Sequence, residues 1–140
     1  MTLLYLLDTD ILSEPLKPAP DRRVMKRFEA HEGTLATSAT VWHELVFGAA
    51  RLPDSKRRRA IESYLHDVVA VHLPILPYDD RAGAWHGAER ARLSQAGRTP
   101  AFADGQVAAV ARVNGLTLVT GNVRHYKDFA GLSVANWRRP

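Results

Sequence analysis

The sequence predicts an α/β fold around a central, mainly parallel sheet, and three observations predict it. Short apolar runs (LLYLL at 3–7, TLAT at 34–37, LPIL at 73–76 and LTLVT at 116–120) alternate with longer segments. In those segments apolar residues recur at three- and four-residue spacing, the helical period. Alternation of this kind argues for parallel strands joined by right-handed crossovers. The first run has no polar face, as expected of a strand covered on both sides. Finally, no repeat, low-complexity stretch or linker interrupts the 140 residues, so they read as one domain, 1–140. Its tail, from about Trp137, is expected to be loosely ordered.

The first strand runs into Asp8-Thr9-Asp10. It delivers Asp8 to the carboxyl end of the sheet, where open α/β folds bind their ligands. If extended backbone continues to Asp10, both carboxylates point to one side. Two such charges about 4 Å apart repel by roughly 4 kcal/mol at an effective dielectric of 20, which calls for a cation or a proton. In the competing reading, Asp10 caps a helix starting at Ile11. That helix ends by Leu16, at the prolines Pro15, Pro18 and Pro20.

Asp21 or Pro20 opens the next helix, which runs to about His31 with Val24, Met25 and Phe28 inward and Gly33 closing it. After TLAT, Ser38 caps a helix Ala39–Ala50 whose Val41, Trp42, Leu45, Val46 and Ala49 form a buried face. Glu44 lies on the shoulder of that face. Asp54 is expected to cap a longer helix with Ile61, Leu65, Val68 and Val69 inward. Its first turns carry Lys56-Arg57-Arg58-Arg59, cations that oppose the helix dipole and read as a solvated basic face or a contact for an anion. Proline makes Leu73–Leu76 an edge strand. Asp79 or Asp80 starts a helix that Gly97 closes, and Asp104 opens one rich in alanine that Gly115 closes. LTLVT leads into Gly121-Asn122, after which Tyr126, Phe129 and Leu132 to Val134 pack the last turn and an edge strand.

Composition removes several chemistries. With no cysteine, disulfides, thiolate nucleophiles and cysteine zinc sites are excluded. His43-Glu44-Leu45-Val46-Phe47 starts like a zinc-protease helix, but Phe47 stands where the second histidine belongs. The other histidines are dispersed. No serine has the glycines of a nucleophile elbow, and Gly83 to Gly87 lacks the Lys and Ser/Thr of a phosphate loop. No signal peptide or membrane span is read, so the expected location is the cytoplasm. The excess of 19 Lys+Arg over 15 Asp+Glu suits a polyanionic partner.

What remains is a set of polar residues at special places: Asp8 at a strand end, Glu44 on an apolar helix, Asp104 at a helix start and Asn122 after a second strand. A parallel sheet can bring such places to one crevice. Together they describe an oxygen-ligand pocket suited to Mg²⁺ or Mn²⁺. Such ions support hydrolysis by a water without a side-chain nucleophile.

Four blocks carry a family resemblance: LLYLLDTDILSEPLKPAP, ATSATVWHELVFGAA, FADGQVAAVARVNGLTLVTGN and SVANW. Together the chain resembles PIN-domain ribonucleases, most closely the toxins of VapBC-type toxin–antitoxin modules in the branch that includes FitB-like proteins. The resemblance implies a three-layer α/β/α fold, Mg²⁺- or Mn²⁺-dependent cleavage of RNA, a toxin homodimer and a VapB-type antitoxin that inhibits it. It places the acidic metal ligands at Asp8, Glu44 and Asp104. Asn122 falls where many relatives have a fourth acid, which favours one firmly held ion. Asp10 replaces the usual Asn and would restore some negative charge. Thr9, Ser38 and Thr120 match small hydroxyl positions that orient ligands or waters. Arg51, Arg57, Arg98 and Arg124 are candidate contacts to the RNA backbone. Two rivals remain: a haloacid-dehalogenase-like phosphatase using Asp8 and Asp10, in which Leu12 departs from the expected Thr or Val, and a decayed PIN-like module that only binds RNA or protein.

Overall fold

A computed structural model describes residues 2–140; Met1, counted in the 1–140 domain, lies outside the described residues. Five short strands form one sheet in the order β3-β2-β1-β4-β5, all of whose pairings are parallel. They are β1 (Tyr5–Leu7), β2 (Leu35–Ser38), β3 (Ile75–Leu76), β4 (Thr117–Val119) and β5 (Val134–Ala135). The helices are α1 (Thr9–Leu12), α2 (Arg22–Ala30), α3 (Ala39–Ala50), α4 (Lys56–Tyr64), α5 (Ala70–His72), α6 (Asp80–Gln95) and α7 (Phe102–Val113). All of β2 is buried, as are Leu6 and Leu7 of β1, so helices must cover both sheet faces. This is the α/β/α architecture expected from the sequence.

β1 is the centre. Tyr5, Leu6 and Leu7 pair with Thr117, Leu118 and Val119, and on the other side Tyr5 and Leu6 pair with Leu35 and Ala36. The C-terminal ends of β2, β1 and β4 therefore lie side by side, bringing Ser38, Asp8 and Thr120 to one rim. Ser38 caps α3 as expected, its Oγ accepting the Val41 amide at 3.2 Å. Asp21 caps α2 and Asp79 caps α6 in the same manner.

Several local expectations are corrected. Extended backbone stops at Asp8, which itself caps α1, so Asp10 lies in the first helical turn and caps nothing. The expected 11–16 helix divides at Ser13 into α1 and a 3-10 turn, Glu14–Leu16, with Pro15 in its first turn. Ser55 rather than Asp54 caps α4, because its hydroxyl reaches the Arg58 amide at 3.2 Å. A π turn at Leu65–Val69 then keeps Leu65 and Val69 buried and turns Val68 outward; Val46 on α3 is likewise exposed. Helix α7 starts at Phe102, so Asp104 sits inside its first turn rather than opening it.

The tail is the largest correction. Trp137 is 2% exposed, ringed by Tyr5, Phe28 and His31 with centroids 5.3, 5.9 and 5.5 Å away. An indole supplies a large apolar area, and here it plugs the outer end of β1. Next to it, the Arg138 guanidinium meets Glu14, which is also buried. Burial alone raises the Glu14 carboxyl, but Lys17, the Asp21 amide and Arg138 outweigh it and hold the group at about 2.

Where α6 crosses α7, Gly105 faces the buried His86 ring so closely that a Cβ would overlap Nε2. Burial, with the Arg90 charge behind it, pushes the His86 pKa down and keeps the ring neutral, while Tyr78 holds Nδ1 at 2.8 Å.

Gly105→Ala is therefore expected to lower unfolding free energy in urea by about 1–3 kcal/mol through overpacking. Gly87→Ala, on an open face of the same helix pair, should raise it by roughly 0.5–1 kcal/mol. For Glu14, the folded value lies below the unfolded 4.5, so its contribution is complete above pH 4.5 and disappears as pH falls toward 2. Glu14→Gln should lower the melting temperature at pH 7, and the gap to wild type should close across that acidic window.

Candidate active site

Asp8 directly follows β1 and is 7% exposed. Oδ1 accepts the Thr9 amide at 2.8 Å, and Oδ2 accepts the Thr120 hydroxyl at 2.9 Å and the Tyr126 hydroxyl at 3.2 Å. Burial raises its pKa, with the Asp10 charge adding to the rise, and those three donors only partly offset the shift.

Asp104 faces the same phenol. Its Oδ1 lies 3.4 Å from the Tyr126 hydroxyl and its Oδ2 lies 3.5 Å from His125 Nδ1. Burial again raises the pKa, against the opposing pull of His125 and Tyr126, and Glu44 repels from nearby. Tyr126 has one proton for two carboxylates. Burial and the surrounding acids push the phenol far above its ordinary value, so it stays a neutral donor.

Glu44 enters from α3, with Oε2 accepting the Thr9 hydroxyl at 2.6 Å. Thus Thr9 connects Asp8 to Glu44, and Tyr126 connects Asp8 to Asp104. Three acids separated by 36 and 60 residues share one end of the sheet. Every linking group is a hydroxyl or an amide. Among the described residues, no three carboxylate or imidazole groups close tightly enough to enclose an ion unaided. Such an open, oxygen-rich set suits a hard cation that keeps most of its water.

The remaining expected residues divide. Thr9 and Thr120 each hold an acid, as expected. Ser38 is spent on the α3 cap and makes no hydrogen bond to an acid. Asp10 points elsewhere: its Oδ2 takes the Gly121 amide at 2.8 Å and Arg138 Nη1 at 2.9 Å. Its carboxylate is paired with Arg138, so it is not free to serve as a phosphatase's acid, although its charge still bears on Asp8. Asn122 donates its backbone amide to Thr120 Oγ1 at 3.0 Å and leaves its side chain exposed at the rim. Arg98 and Arg124 line a cleft of about 370 Å³ with Asp104 and His125, although Arg98 also pairs with Asp128 at 3.1 Å. Arg51 lies over the Phe47 ring on α3 and Arg57 stands on exposed α4; neither lines that cleft.

Two site residues escaped the sequence reading. In the sequence His125 is one of several dispersed histidines and Tyr126 reads as a packing residue. A 3-10 turn at Val123–His125, directly after Asn122, brings both to Asp8 and Asp104, a contact that no local pattern in the sequence announces.

Known proteins resemble this chain in sequence and fold. The family profile described as PIN domain matches residues 5–132. The tRNA(fMet)-specific endonuclease VapC of Shigella flexneri is 32% identical over 136 residues, covering 96% of this chain and 98% of its own. Toxin FitB of Neisseria gonorrhoeae is 33% identical over 124 residues, covering 84% and 86%. Among solved structures, FitAcB from Neisseria gonorrhoeae superposes with a TM-score of 0.88 at 29% identity over 98% of this chain and 100% of that one. DNA-bound VapBC from Salmonella typhimurium gives 0.82 at 26% identity, covering 96% and 98%. By profile, by sequence over nearly its whole length and by fold, the chain belongs to the PIN domain family.

Proposed function

We propose that this protein is the toxin of a type II toxin–antitoxin module and acts as a divalent-metal-dependent endoribonuclease. One observation carries the reading: the Tyr126 hydroxyl lies between Asp8 and Asp104, while Thr9 ties Glu44 to the same strand end. Relatives named as VapC ribonucleases and endonucleases support the reaction class.

Asp8 and Asp104 would hold a Mg²⁺ or Mn²⁺ ion, and Glu44 would bind it or position the attacking water. When bound, such an ion lowers the pKa of that water and neutralises the phosphate. The chain's own groups do the orienting. Thr120 and the Thr9 amide fix the Asp8 carboxylate, and the Thr9 hydroxyl fixes Glu44. Tyr126, held neutral, donates without competing as an anion. Asn122 presents a neutral amide at the rim for a phosphate oxygen or a water. Arg98 and Arg124 draw the RNA backbone to the cleft, in a salt-dependent way. Arg51 with the 58% exposed Phe47 offers a stacking face beside Glu44, and Arg57 extends the basic surface.

The surface supports a mode of inhibition. An apolar groove of about 810 Å³ runs between α2 and α4, lined by Leu12, Met25, Phe28, Tyr64 and Leu73 with Glu29 and Glu32 at its edge. Its apolar lining suits an amphipathic helix of a VapB-type antitoxin, and a separate basic side chain of that partner would meet the carboxylates. The solved FitAcB and VapBC assemblies support a toxin–antitoxin complex. A homodimer and a cytoplasmic location complete the reading; among the described residues no helix is long and apolar enough to cross a membrane.

Purified protein should cleave single-stranded RNA with Mn²⁺ and stop on chelation, and Asp8→Ala or Asp104→Ala should reduce cleavage to background with circular dichroism unchanged. Cleavage retained in either variant would reject the site. Tyr126→Phe removes one shared donor and should lower kcat about tenfold, the equivalent of one hydrogen bond. Saturating Mn²⁺ should raise the melting temperature of wild type, by roughly 2.7 kcal/mol of stability at a hundredfold excess over Kd, and leave Asp8→Ala unmoved.

A further inference from the structure

Asp10 is held by groups from two distant parts of the chain. Besides the Gly121 amide and Arg138 Nη1 on Oδ2, its backbone carbonyl accepts Arg138 Nη2 at 3.2 Å. The same nitrogen donates to Glu14 Oε2 at 3.1 Å. The second carboxylate oxygen, Oδ1, is buried and has no hydrogen-bond partner among the described residues. One guanidinium thus grips both ends of the segment 10–14, in the forked geometry that arginine alone provides. It is carried there by its neighbour Trp137, sealed against β1. Gly121 lies so close to this pair that a Cβ would run into Arg138 Nη1 and Asp10 Oδ2. No other residue fits at 121 without opening the contact.

Gly121 also sits between two groups of the acid centre. Thr120 before it donates to Asp8, and the amide of Asn122 after it donates to that Thr120 hydroxyl. Holding the Gly121 amide in place therefore fixes the turn that aims Thr120. We propose that Arg138 is a positioning residue for the acid centre: by answering the Asp10 charge it keeps that side chain on the Gly121 amide and so, through Gly121, keeps the Thr120 hydroxyl on Asp8. The guanidinium has an electrostatic part as well. Asp10 and Asp8 flank a single residue, and without its cation the Asp10 charge, which already bears on Asp8, would weigh more heavily among the acids. The proposal rests on reading Asp8 and Asp104 as the hydrolytic centre.

The test uses the full chain with Arg138→Gln, Asp10→Asn, the double variant and Arg139→Gln as a charge control on the exposed neighbour. Two readouts are taken: steady-state cleavage of a single-stranded RNA with Mn²⁺, and hydrogen exchange of the Gly121 amide by NMR in the metal-free protein. Arg138→Gln is expected to lower kcat about tenfold with KM nearly unchanged, and to speed Gly121 exchange by about the same factor. Adding Asp10→Asn should restore both, because an amide oxygen still accepts the Gly121 N–H and has no charge to be answered. Arg139→Gln should change neither. A rise in KM with kcat intact would make Arg138 an RNA contact, and a double variant as impaired as Arg138→Gln would make its role merely structural; either overturns the proposal. Should Arg138→Gln fail to fold, the double variant decides alone: wild-type kcat and exchange support the clamp, and loss of either overturns it. If wild type cleaves no RNA, the functional reading fails, while Gly121 exchange still reports on the clamp.

Discussion

The fold depends on one awkward placement, a carboxylate at the end of a strand that is covered on both faces. Asp8 leaves water almost completely, and a buried carboxylate needs hydrogen-bond donors or a countercharge. The sheet order supplies the donors. Because β1 is central, its C-terminal end has β2 on one side and β4 on the other, so Thr120 arrives in register. The helix that begins one residue later supplies the Thr9 amide. Even so, the group stays above its ordinary pKa, which marks a place still short of positive charge.

The other parts of the centre are arranged around that shortage. Helix α3 brings Glu44 within reach of the Thr9 hydroxyl, because Ser38 starts the helix directly at the end of β2. Helix α7 brings Asp104, and its approach to α6 depends on the missing side chain at Gly105. The turn after β4 adds Tyr126, a neutral donor between two acids. A phenol in that position tolerates either protonation state of its neighbours, whereas a cationic side chain would have filled the space with a permanent charge.

Much of this was readable from residues alone. Short apolar runs between amphipathic helices gave the α/β class, and Ser38, Asp21 and Asp79 marked helix starts by their chemistry. Asp8, Glu44 and Asp104 stood out as acids in places where apolar or capping residues would have sufficed. What could not be read depended on contacts across the chain. Nothing local distinguishes Tyr126 from a packing tyrosine until the 3-10 turn folds it over Asp8. Strand periodicity carried to Asp10 sets it beside Asp8, and the competing reading makes it the cap of a helix from Ile11; both miss because the helix begins at Thr9 with Asp8 as its cap. Charge and proximity to the terminus make Trp137 and Arg138 read as a frayed end, and only the Tyr5, Phe28 and His31 rings reveal a socket.

The position of β1 also sets a schedule. Ribosomes deliver the chain from its N-terminus, so Asp8 emerges early and Glu44 soon after, but the residues that orient Asp8 are Thr120 and Tyr126, 112 and 118 positions later. One flank of the first strand stays unpaired until β4 appears, and the plug at Trp137 comes later still. The acid centre is therefore among the last features to exist in a newborn chain. Until Thr120 and Tyr126 have been made, the Asp8 carboxylate lacks two of its three hydrogen-bond donors.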